Sequence, residues 1–275
     1  MDTVLPAAAP AVKRDAPLVG RPHPHDKLHP RMYAAECAGT ALLLACGLSF
    51  VILMFGQGSP VPRLVPDPLL RRAIAGFLFG CTGLAVAVSP LGRISGAHIN
   101  PAVTFAFWLE GKIAWRDALL YGLAQCVGGV LGSLPLLAWG ATGRSIGYGA
   151  SLPLQGAPIW APLLGEVGTT MALVLTIFVL AAHRGSEKLV PFAMPPLFSL
   201  MVALEAPLSG TSTNPARSLG PALLAGQWQG QWIYVAGPTL GAALAVLLLN
   251  VELFGRHHPH EARLFHFRHH DALAR

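Results

Sequence analysis

The tripeptide Asn-Pro-Ala occurs twice, as Asn100-Pro101-Ala102 and Asn214-Pro215-Ala216. Each copy follows a Ser-Gly pair, Ser95-Gly96 and Ser209-Gly210, with the same spacing. Such a site starts a helix, because Asn accepts from free backbone N–H groups and Pro suits the first helical position. The apolar run after each Asn is about ten residues, half of what crosses a bilayer. Backbone that ends at membrane depth is tolerated only when it is buried in protein or lines a cavity. Each copy therefore predicts a re-entrant half-helix, provided the rest of the chain is a membrane bundle.

The rest of the chain meets that condition. Stretches 32–55, 70–91, 116–139, 159–182, 190–208 and 232–254 are each long and apolar enough to span a bilayer. Charged residues make up 12% of the chain, about half of what a soluble domain carries. The expected fold is an all-α membrane protein with six transmembrane helices and two re-entrant half-helices. Residues 1–31 hold scattered charges and many prolines without the apolar core of a cleaved signal, and predict a disordered tail. Residues 32–254 form the bundle, and 255–275 a His-rich tail. Cys37, Cys46, Cys81 and Cys126 have neither disulfide nor zinc spacing and read as small core hydrophobes. No basic stripe with interleaved aromatics points to nucleic acid. No metal, cofactor or nucleophile–base pair is indicated, which argues against an enzyme.

Fourteen of the 19 Lys and Arg residues fall on one side of these spans, in both tails and in the second-to-third and fourth-to-fifth connections. The positive-inside rule then places both termini in the cytoplasm of a multi-pass plasma (inner) membrane protein. The chain also repeats itself, with about 32–139 matching about 159–254. Glu36-x-x-Gly39-Thr40 answers Glu166-x-x-Thr169-Thr170, and Tyr121-x-x-x-Gln125-x-x-Gly128 answers Tyr234-x-x-x-Pro238-x-x-Gly241. Three spans per repeat is an odd number, so the second half is inverted relative to the first. Two half-helices entering from opposite faces then meet near the midplane with their N-termini facing. Each terminus carries about half a positive charge. The pair forms a barrier to cations and protons, while the Asn side chains can donate to a passing neutral oxygen.

The runs Ser95-Gly96-Ala97-His98-Ile99-Asn100-Pro101-Ala102-Val103-Thr104 and Ser209-Gly210 through Asn214-Pro215-Ala216-Arg217-Ser218-Leu219-Gly220-Pro221-Ala222 resemble the aquaporin, or major intrinsic protein, family. The resemblance covers about residues 32–254. It implies a homotetramer in the lipid bilayer with one pore per subunit, carrying water or a small neutral solute. It assigns Arg217 to the outer constriction, with Thr211, Val202 and either Gly80 or the adjacent Phe79 completing the selectivity filter. Val202 stands where strict water channels place His, which implies a more apolar opening, and wider still if Gly80 faces the pore. Ser218, where glycerol channels carry Asp, together with Ala222 and Tyr234, points to the water branch. Val235, where many water channels have Trp, points away from it.

Glu36 and Glu166 occupy equivalent places within spans. As intramembrane carboxylates they are proton relays or, as symmetry favours, acceptors for the unpaired N–H groups of the re-entrant loops. Glu205 has no counterpart in the first half and reads as either an outer-vestibule or an interface residue. His98 is a cytoplasmic-vestibule residue or a packing His. His257, His258, His260, His266, His269 and His270 read as a solvated tail, with metal binding or pH sensing as the alternative. Gly128-x-x-x-Gly132 and Gly237-x-x-x-Gly241 are expected to be close-packing sites. The expected function is a passive water channel that excludes protons and ions. A channel for glycerol or ammonia is the alternative within the family, and a proton-coupled secondary transporter the distant one.

Overall fold

In the computed structural model, residues 28–183, 185–251, 259 and 261–264 are described. Eight helices of nine or more residues build the described chain: α1 Pro30–Phe55, α2 Pro68–Val88, α3 Pro101–Leu109, α4 Trp115–Ser133, α5 Trp160–Ala181, α6 Val190–Ser209, α7 Pro215–Ala225 and α8 Ile233–Asn250. Six of the helical segments are long and apolar enough to cross a membrane, and α3 and α7 are the two short exceptions.

Local chemistry sets most of the ends. Asp67 caps α2 by accepting from the Leu69 and Leu70 N–H groups, with Pro68 at the first position. The helix stops at Val88 because Pro90 disfavours helical backbone at Ser89 and starts a separate short helix, Pro90–Ser95. The third span leaves α geometry after Ser133 and continues as a tighter 3₁₀ segment, Leu134–Trp139, with Pro135 in its first turn. Gly96 (φ 91°) and Gly210 (φ 86°) end the helices before the two Asn loops in left-handed backbone that a side chain would strain.

The packing has the symmetry of the sequence repeat. In the first repeat α1 packs on α4, and in the second α5 packs on α8. The half-helices are exchanged, with α3 against α8 and α7 against α4. Helix α2 lies against its counterpart α6 between the two halves. Glycines allow these approaches. A Cβ on Gly128 or Gly132 would overlap the α1 backbone at Cys37 or Ala41, and one on Gly241 would overlap the α5 backbone at Val167. The cysteines correct the sequence reading. Cys46 is exposed and the other three are partly exposed, so they lie on helix flanks rather than in the core. Leu119, Leu123, Val127 and Leu131 form an exposed apolar stripe along α4. In water such a stripe would be a liability, and against lipid it is at home.

Candidate functional site

Each re-entrant loop is built from the same parts. Asn100 caps α3, its Oδ1 accepting from the Ala102 N–H at 2.8 Å. Asn214 caps α7, accepting from the N–H groups of Ala216 at 3.0 Å and Arg217 at 3.2 Å. Pro101 and Pro215 open the two helices, where a missing N–H costs nothing. The residues ahead of each Asn take left-handed backbone at matching positions: Ala97 (55°) and Ile99 (43°), Thr211 (50°) and Thr213 (54°). Such angles are strained for branched side chains and persist only when the surroundings enforce them.

The enforcement comes from two buried carboxylates. Glu36 accepts from the N–H groups of His98 (3.0 Å) and Ile99 (2.6 Å) and from Gln125 Nε2 (2.7 Å). Glu166 accepts from the N–H groups of Ser212 and Thr213, both at 2.7 Å, and from Ser209 Oγ at 2.6 Å. Two tyrosines repeat the pattern, Tyr121 donating to the Ser95 carbonyl and Tyr234 to the Ser209 carbonyl.

The two loops lock each other. Asn100 Nδ2 donates to the Thr213 carbonyl and Asn214 Nδ2 to the Ile99 carbonyl, each at 2.8 Å. The sequence alone gave these amides to a passing solute. One hydrogen of each is instead committed to the partner loop, and an amide nitrogen has one further hydrogen to offer.

Two cavities meet at this centre. The larger, on the Arg217 side and called outer after the expected orientation, is about 320 Å³ and is lined by Arg72, Phe79, Phe198, Val202, Thr211 and Arg217 among others. The inner one, about 50 Å³, includes Gly80, His98, Asn100, Asn214 and Leu264 in its wall. Phe79 and Phe198 line both cavities, with ring centroids 5.8 Å apart, so this aromatic pair forms the neck. Phe79 therefore shares the outer cavity with Arg217, whereas Gly80 faces the inner one. A Cβ on Gly80 would sit 2.6 Å from Pro195 Cα, so its bareness serves the contact of α2 with α6. The wider opening implied by a pore-facing Gly80 is thus filled by Phe79. Phe198, one helical turn before Val202, went unread in the sequence; that spacing on the same helix face was its available signal.

Arg217 is buried, and its Nη1 donates to the Gly149 carbonyl (2.8 Å) and Ser151 Oγ (2.6 Å) of the connection before α5. Ser218 ties the same serine to the second loop, through Ser151 Oγ at 3.0 Å and Ser212 Oγ at 2.6 Å. Glu205 is buried directly behind Thr211 and accepts from its hydroxyl. Its Oε1 has no partner among the described residues and points at Gly165, where a Cβ would overlap it.

His98 is fully buried, and its ring stacks on Phe107 at 4.6 Å. Nε2 lies 3.0 Å from the Ala262 carbonyl, which can only accept, so Nε2 donates. Nδ1 then accepts from Thr104 Oγ1 at 3.1 Å. The histidine thus both packs and lines the inner cavity. Its partner Ala262 belongs to the tail expected to be solvated, and Leu264 is buried in the core, so for 262–264 that expectation fails, while Glu261 is exposed. The six tail histidines lie outside the described residues.

The sequence profile described as major intrinsic protein matches residues 26–249. The chain belongs to the major intrinsic protein family. It is 34% identical over 235 residues to a probable aquaporin TIP2-1 of Oryza sativa subsp. japonica, covering 83% of this chain and 90% of that protein. It is 40% identical over 176 residues to aquaporin NIP1-1 of Zea mays, covering 62% and 61%. Its fold is similar to the X-ray structure of the aquaglyceroporin from Plasmodium falciparum, with TM-score 0.67, 16% identity, and coverage of 82% of this chain and 98% of that one. This major intrinsic protein is a multi-pass membrane channel, and its inverted repeat of six helices and two half-helices is the family's architecture.

Proposed function

We propose that the channel conducts water passively and in single file, and excludes protons and ions. The carrying observation is the reciprocal Asn100–Asn214 lock, which holds two half-helix N-termini against each other in the wall of the inner cavity. Their partial positive charges oppose a cation or a hydronium at the one place every permeant passes. Arg217 adds a full positive charge on the outer side, in the filter formed with Thr211, Val202 and Phe79. The Phe79–Phe198 neck favours a narrow permeant. The asymmetry of Lys and Arg supports cytoplasmic termini in a plasma (inner) membrane, and the family resemblance supports a homotetramer.

One observation favours a second reading, conduction of a small neutral solute such as glycerol or ammonia. Val202 leaves the outer cavity a largely apolar wall next to Arg217 and Thr211, an arrangement that suits a carbon skeleton bearing hydroxyls. Stopped-flow light scattering on proteoliposomes separates the two. Osmotic water permeability well above that of protein-free vesicles is expected of the full-length protein or of a chain ending at Val251, and its absence from both sinks the first reading. Glycerol influx no faster than in empty vesicles removes the second.

A further inference from the structure

We propose that the inner mouth of the pore, at the first Asn loop, is a peptide-binding site whose occupant is the chain's own 261–264 segment, and that occupancy closes the channel. The inference rests on the conduction reading above.

The segment is held at the mouth by polar contacts from Ala262, Arg263 and Leu264. The Leu264 N–H donates to the Gly96 carbonyl at 3.0 Å. The Ala262 carbonyl accepts from His98 Nε2 at 3.0 Å. Arg263 Nη1 donates to the Arg93 carbonyl at 2.8 Å, while its Nε lies 3.5 Å from Glu261. The receiving surface is shaped for the segment: a Cβ on Gly96 would stand 2.6 Å from the Ala262 carbonyl oxygen. Beyond these contacts the Leu264 side chain, 6% exposed, enters the wall of the inner cavity beside His98, Asn100 and Asn214.

These groups belong to the conducting path, so the docked segment is more than a structural strap. His98 presents a ring nitrogen to the mouth, and the Ala262 carbonyl consumes that donor. Gly96 opens the loop that ends in Asn100, and its carbonyl is consumed by the Leu264 N–H. An apolar side chain in the wall at the mouth offers water no hydrogen-bond partner, and hydrophobic constrictions close pores by dewetting. The inner cavity is small, about 50 Å³ against about 320 Å³ outside. The site's ligand is thus a short segment that offers a carbonyl to His98 and a leucine to the lumen.

The test compares full-length protein, a chain ending at Val251, and Leu264→Asp and Leu264→Met variants in proteoliposomes. Truncation and Leu264→Asp are expected to raise unit water permeability about ten-fold, the factor that ~1.4 kcal/mol of net docking free energy supplies. Leu264→Met, which keeps the apolar bulk, is expected to match the full-length rate. A synthetic peptide spanning residues 259–266, added to the truncated channel, should restore the low rate, and its Leu264→Asp version should not. Equal permeability of well-folded full-length, truncated and Leu264→Asp proteins, all above empty vesicles, overturns the proposal. If no protein conducts, the conduction reading falls instead. Fluorescence anisotropy of the labelled peptide then decides the docking site, with saturable binding to the truncated channel expected and its absence refuting it.

Discussion

Glu166→Gln is the most direct probe of how the centre is held, because its cost can be worked from three hydrogen bonds. Oε1 accepts from Ser212 N–H and Ser209 Oγ, and Oε2 from Thr213 N–H. A glutamine can place its single carbonyl at the first position and keep two of the three. Its NH₂ then faces the Thr213 N–H, donor against donor, in a site with no solvent exposure. One buried N–H left unpaired costs about 1–3 kcal/mol. The same bond helps enforce the left-handed backbone at Thr213, whose carbonyl accepts from Asn100 Nδ2. The loss therefore propagates to the lock between the loops. Glu36→Gln is the symmetric experiment. Its best orientation keeps Ile99 N–H and Gln125 and abandons His98 N–H, so a similar cost is expected. Mixed-micelle denaturation would report the free energies, and amide exchange would report the freed N–H groups at Thr213 or His98. Unchanged stability together with undiminished protection of those amides would refute the reasoning.

Phe79→Ala opens the neck, and glycerol influx by stopped flow should rise about ten-fold, equivalent to ~1.4 kcal/mol off the barrier, while water flux changes less. Arg217→Val removes the outer charge and two hydrogen bonds. It should lower stability by about 1–3 kcal/mol and increase proton or cation leak, measured with a pH-sensitive dye in the vesicle lumen. Glu205→Leu frees the Thr211 hydroxyl to face the outer cavity and should change the glycerol-to-water ratio about five-fold, as a hydrogen bond of ~1 kcal/mol allows. The same substitution in a Thr211→Val background should have no effect on that ratio. Gly128→Ala presses a methyl into the Cys37 carbonyl region and should destabilise by about 1–3 kcal/mol, read by the same denaturation.

Much of the architecture was legible in the chain because membrane folding rules act on local sequence. Backbone must be satisfied within each span, so apolar length alone locates the helices. Asn followed by Pro locates the half-helix starts, which the structure places at Pro101 and Pro215. The paired carboxylates were visible as a repeat, and an inverted repeat leaves each Glu with an equivalent loop to hold. The neck was not legible. Phe79 and Gly80 are adjacent, and counting residues cannot tell which side of α2 faces α6. Gly80 fits against the backbone at Met194 and Pro195, and Phe79 lines the cavity that holds Arg217.

The sequence by itself determined the number of spans, the two re-entrant starts and the inversion that brings them together, because each depends on length, capping or parity. Tertiary structure decided the rest. It spent one hydrogen of each Asn on the opposite loop, set Phe198 beside Phe79, buried Glu205 behind Thr211, and brought 261–264 to the inner mouth. Each of these joins residues far apart in the chain or selects one face of a helix. Capping, period and composition do not encode such choices; they follow from which backbones approach closely enough to exclude a side chain.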